Sequence, residues 1–171
     1  MSVCLVTVEG VLGEHSTLHG FHPIVEGVRL VRAMHSEYQI MFSTTQSGYE
    51  AVDYWLRING MMRPTFYEDL LYRTRPWTDL TDVELQTEHA HHLRTTGADV
   101  GMVVSADPET ILRITRLGFP SVFFVNPTYR WAEYRPDHKR LPRPWQEIDD
   151  EMVRQRELKA TDPRLNEMEE A

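Results

Sequence analysis

Residues Val3 to Val8 form one continuous β-favouring run, Val-Cys-Leu-Val-Thr-Val. A strand of this kind needs apolar cover on both faces, as it has in a parallel sheet clad by helices. The remaining pattern follows from that demand. Pro23 opens the next element, and Ile24, Val28, Val31 and Met34 follow at helical spacing. Tyr38 to Phe42 reads as a second strand that runs into the polar stretch Ser43-Thr44-Thr45-Gln46-Ser47. A helix over about Gly48 to Ile58 turns Val52, Trp55, Leu56 and Ile58 inward, and Asn59-Gly60 stops it. Thr65 to Tyr72 is a shorter strand. A third helix spans about Thr81 to Thr95, with Thr81 or Asp79 as its cap and Gly97 as its terminator. Val100 to Val104 is a buried strand, a helix capped by Asp107 or Ser105 runs to Leu117, and Ser121 to Val125 closes the set. Strands alternating with helices over short connections predict an α/β fold: a doubly wound, Rossmann-like, mostly parallel sheet.

A chain of 171 residues holds one such domain and a short appendage. The expected division is a core over 1–125, a strap over 126–144 and a C-terminal helical tail over 145–171. The strap holds four of the ten prolines, interleaved with Arg and aromatic residues. Trp145, Ile148, Met152 and Val153 mark one face of an amphipathic helix, and Asp162-Pro163 begins a last short one. A net charge of −8 opposes nonspecific nucleic-acid binding over the whole surface. No apolar run approaches the roughly 20 residues that span a bilayer. Cys4 is the single cysteine, so neither an internal disulfide nor a cysteine-rich zinc site is available. With no secretory signal evident after Met1, the expected location is the cytoplasm.

In open α/β sheets, ligands bind outside the carboxyl ends of the strands. The loops after Val6, Phe42 and Val104 are therefore where chemistry belongs. The first reads Val6-Thr7-Val8-Glu9-Gly10-Val11-Leu12. It resembles the first motif of the haloacid dehalogenase (HAD) superfamily, an apolar strand followed by Asp-x-Asp-Gly-x-Leu. The resemblance implies that Thr7 stands at the nucleophile position and Glu9 at that of the general acid/base, while Gly10, Val11 and Leu12 match. It also implies that Ser43, with Thr44 as runner-up, holds phosphate, and that Arg75 ahead of Pro76 neutralises its charge. Val103 to Ile111 is similar in shape to the metal-binding motif, with Ala106 and Thr110 in the acidic positions and Asp107 and Glu109 displaced. The likeness spans about residues 3 to 125.

Only ten residues separate Leu12 from Pro23, and Ser43 leads straight into helix, so no cap domain is expected. The overall pattern, including the Arg143-Pro144-Trp145 to Ile148 stretch, is similar to that of small HAD-like proteins of actinobacterial bacteriophages, which implies an accessory or assembly role in the host cytoplasm.

Mg²⁺ wants near-octahedral oxygen ligands, usually one or two carboxylates plus phosphate oxygens. Glu9, with Asp107 as a second metal ligand, is a poor cradle. A Thr hydroxyl also needs an adjacent base to attack phosphorus. The expectation is a noncatalytic HAD-like binding or protein-interaction module without a cofactor, self-associating or meeting a protein partner through its C-terminal helix. The alternative is a residually active Mg²⁺-dependent phosphatase on nucleotides or phosphorylated macromolecules.

Three other groupings carry less. Glu88, His91 and His92, with His89 beside them, read as a polar helix face. His15, His19 and His22 could hold zinc but lack a fixed geometry. Arg135, Lys139, Arg140 and Trp145 form a basic-aromatic patch suited to a partner or to single-stranded nucleic acid, interrupted by Glu133 and Asp137. No membrane contact is expected.

Overall fold

All five residues of β1 (Val3–Thr7) are buried, because the strand lies in the middle of a sheet covered on both faces. The computed structural model describes residues 1–16 and 20–126, together with Asp150, Val153 and Glu157. After β1 come β2 (Gly13–Ser16), β3 (Gly20–Pro23), α1 (Val25–Met34), β4 (Gln39–Ser43), α2 (Tyr49–Ile58) and β5 (Asp69–Leu71). Then follow α3 (Asp82–Thr95), β6 (Val100–Ser105), α4 (Pro108–Arg116) and β7 (Ser121–Phe123). Five strands form one sheet in the order β5-β4-β1-β6-β7, and every neighbouring pair is parallel. This is the expected α/β, Rossmann-like architecture.

The period of two along β1 divides the core. Cys4 and Val6 face one layer with Ile40, Phe42 and Val104, packed on Val31 of α1 and Val52, Trp55 and Leu56 of α2. Val3 and Leu5 face the other layer with Val103, Ala90 and Leu93 of α3, and Ile114 of α4. Chain order runs outward from β1 to β4 and β5, then returns to β6 and β7 on the far side. That reversal opens a crevice at the tips of β1, β4 and β6.

Several local expectations are corrected. β2 and β3 form a two-stranded antiparallel ribbon, in which Gly13 pairs with Pro23 and Glu14 with His22. Pro23 therefore ends the ribbon instead of starting a helix. The ribbon docks on α2: the Trp55 indole N–H donates to the Phe21 carbonyl at 2.9 Å, and the two rings meet edge-on. Ile58 points to solvent, 63% exposed, because the inward stripe of α2 ends at Leu56. β5 shrinks to three residues, since Thr65 and Phe66 lie in a turn. α1 packs so closely on the first loop that Gly27 is required. A Cβ there would stand 1.6 Å from the Val11 carbonyl oxygen.

The chain divides into two compact units, Met1–Asn126 and Pro127–Ala171. Of the second, the described residues Asp150, Val153 and Glu157 are helical and exposed. Among the described residues no helix is long and apolar enough to cross a membrane.

Candidate functional site

Register brings the site together. β1 and β4 pair with Thr7 opposite Ser43, so both hydroxyls sit at adjacent strand tips, and Ser105 ends β6 on the other side of β1. All three are buried. The Thr7 hydroxyl donates over long distances, 3.4 Å to the Glu9 carbonyl and 3.5 Å to Ser105 Oγ. Ser105 Oγ in turn donates to Gln86 Oε1 at 3.4 Å and accepts the Asp107 N–H at 3.1 Å. Gln86 Oε1 also accepts from Thr110 Oγ1 at 3.1 Å. These are neutral groups satisfying one another.

The loop after β1 folds back on itself, with Leu12 and Gly13 N–H groups on the Val8 carbonyl. Gly10 has a φ of +79° and lies against Ala106, whose Cβ would be 2.7 Å from a Cβ at position 10. The turn aims Glu9 at the loop after β4. One carboxylate oxygen accepts the Thr44 hydroxyl at 2.5 Å, and the other accepts the Thr45 N–H at 3.3 Å. A carboxylate of the chain itself thus meets donors of the β4 loop.

Ser43 faces elsewhere. Its hydroxyl lies 2.8 Å from His89 Nδ1, and both residues are fully buried. His89 Nε2 has no hydrogen-bond partner. Burial pushes the imidazole pKa down to about 4, helped by electrostatic repulsion from His92 and Arg73 and opposed by the nearby Tyr72 backbone. The ring is neutral at pH 7.

Mg²⁺ does not fit this donor set. Hydroxyls dominate the crevice, Glu9 is engaged with Thr44 and Thr45, and the Asp107 carboxylate caps α4 by accepting the Thr110 N–H at 2.6 Å. Ala106 and Thr110 supply no charge where acids would be needed. Among the described residues no group of three or more His, Cys, Asp or Glu converges as a metal site would require.

No family model matches the chain, and no curated protein matches it. Among solved structures it is similar to a chain of the Pnkp1/Rnl/Hen1 RNA repair complex, with a TM-score of 0.56 at 11% identity. The match covers 75% of this chain and 43% of that one, so the protein spans less than half of its neighbour's length. What the two share is the fold.

Of the remaining site expectations, Arg75 is exposed in the loop after β5. The cation that reaches the β4 loop is Arg73, whose Nε donates to the Thr45 carbonyl at 3.1 Å. Its other nitrogens reach the Leu80 carbonyl and Asp82. Arg135, Lys139, Arg140 and Trp145 lie outside the described residues, as does His19 of the three-histidine grouping. Glu88, His91 and His92 are exposed, as a polar helix face should be, and His89 departs from them.

Sequence reasoning missed Arg73, Gln86, His89 and Ser105. A signal for two of them existed. Leu85, Gln86, His89, Ala90 and Leu93 form the buried stripe of α3, and the spacing from Leu85 through Leu93 assigns Gln86 and His89 to the inner face.

Proposed function

We propose that the chain is a noncatalytic HAD-like binding or protein-interaction module, serving a bacteriophage as an accessory or assembly protein. The engagement of Glu9 carries this reading. In a working phosphatase of that kind, the side chain two residues after the nucleophile is available for proton transfer and the β4 loop donates to phosphate. Here the carboxylate and the loop donors take one another. Thr7 completes the argument. The groups within reach of its hydroxyl are a backbone carbonyl and the Ser105 hydroxyl, neither of which is a base strong enough to activate it. Groups that act as a unit lose most of their rate enhancement when one is missing.

The likeness to a chain from a multi-protein RNA repair complex supports a role exercised beside partners. The division at Asn126 supports it too, since it leaves a second unit that could make such contacts. The test is turnover. The full-length protein, given Mg²⁺ with an aryl phosphate and with nucleoside monophosphates, should release no phosphate above the enzyme-free rate. Turnover that Glu9→Gln abolishes would establish the phosphatase alternative instead.

A further inference from the structure

β5 is an outer strand of the sheet, paired with β4 alone among the described residues. Along it runs an open groove of about 500 Å³, reaching from the start of α2 to α3. That size lies within the range of roughly 300–1,000 Å³ typical of small-molecule sites. Aromatic rings wall it. Tyr49, in the first turn of α2, and Tyr72, just past β5, form a tilted pair with centroids 5.4 Å apart. Trp77, from the loop after β5, meets His92 edge-on at 5.4 Å. In the same lining the Arg63 guanidinium donates to the Tyr49 hydroxyl at 3.2 Å and pairs with Asp69 at 3.2 Å. Arg63 and Asp69 are each 45% exposed, so the pair keeps donors and acceptors turned to solvent.

A second observation comes from behind the wall. Trp77 also stands edge-on against the fully buried His89, with ring centroids 5.0 Å apart. A buried side chain thus braces the Trp77 ring and holds it as a fixed wall of the groove.

The lining selects among ligands. An aliphatic molecule would cover the rings but leave the guanidinium–carboxylate pair unmatched. A simple anion would meet Asp69 as well as Arg63. A flat heterocycle with both donors and acceptors on its rim satisfies both: its face stacks on the rings, and its edge reads the pair. We propose that the groove along β5 binds a nucleobase. The base is carried either by a free nucleoside or by a single strand, and it sits at a site separate from the crevice at the tips of β1, β4 and β6.

The experiment is an NMR titration of the full chain with adenosine, guanosine, cytidine and uridine, and with a short single-stranded RNA. Saturable shifts should gather on the Trp77 indole and the amides of Tyr49, Tyr72 and Thr74. Trp77→Ala should weaken binding by about ten- to a hundred-fold, the usual worth of one stacking platform. Arg63→Ala removes an exposed side chain and leaves the rings packed, so the test does not depend on the fold tolerating the loss of Trp77. It should change the preference among the four bases. Comparable affinity for nucleosides and RNA would mark a free nucleoside as the ligand, whereas much tighter, salt-sensitive RNA binding would mark a strand. The proposal is overturned if none of the probes saturates the groove below about 10 mM, if the shifts lie elsewhere, or if both variants bind as the wild type does.

Discussion

The Glu9 carboxylate and the Thr44 hydroxyl, 35 residues apart in sequence, are hydrogen-bonded at 2.5 Å across the tips of β1 and β4. The second carboxylate oxygen takes the Thr45 N–H. An internal anion therefore answers the donors that a phosphate would need. Glu9→Ala should free them at a cost of about 1–3 kcal/mol in stability, and the variant should bind inorganic phosphate more tightly than the wild type. Calorimetric titration checks this. Equal affinities in the two proteins would show that Glu9 does not compete for the loop.

His89 makes stability depend on pH. Its pKa falls to about 4 in the fold, while the unfolded chain protonates it near the ordinary value of about 6.5. Between these values the unfolded state binds more protons, so the contribution of the neutral ring is complete above the upper value and is lost as pH falls towards the lower one. The full effect is bounded at about 3 kcal/mol. Urea unfolding across this window should show a slope that His89→Gln flattens. A slope unchanged by the substitution would exclude the histidine as its source.

Ser43→Ala removes the partner of His89 Nδ1 and leaves a second imidazole nitrogen unmatched in the core. The expected loss is about 1–3 kcal/mol. Chemical denaturation measures it, and a change near zero would mean that the buried ring relaxes to another partner.

Gly27→Ala should destabilise despite the better helix propensity of alanine, which alone favours the substitution by about 1 kcal/mol. The added methyl would overlap the Val11 carbonyl oxygen, forcing α1 away from the first loop. A net loss of about 2–3 kcal/mol is expected, read as a lowered melting temperature. A stabilised variant would contradict the packing of α1 on that loop.

Much of this architecture was legible in the sequence, because the strongest signals there have direct physical causes. The apolar run at Val3 to Val8 required a strand covered on both faces, and β1 is central. Thr81 followed by Glu84 forms a capping box in the structure, each side chain answering the other's backbone N–H. The ribbon of β2 and β3 was hidden because Pro23 read as the start of a helix. Its stability depends on the contact of Phe21 with Trp55, which no local pattern announces.

The site was legible in part. Thr7, Glu9, Ser43 and Thr44 do converge, since parallel register places the tips of β1 and β4 side by side. Their partners were not legible. That Ser43 meets His89 and Glu9 meets Thr44 depends on how α3 crosses the sheet and how the Gly10 turn directs its neighbour. Arg75 stands out in the sequence because Arg-Pro is a visible pair, whereas the anchoring of Arg73 to the Thr45 and Leu80 carbonyls is a tertiary matter.

The central claim, that this crevice does not assemble a magnesium–phosphate centre, is tested most directly by titrating the full chain with Mg²⁺ while following the amides of Thr7 to Gly10 and Ser43 to Thr45. The account predicts no saturable shift at these positions up to about 10 mM, with or without inorganic phosphate. Saturable binding there that disappears in Glu9→Gln would contradict it.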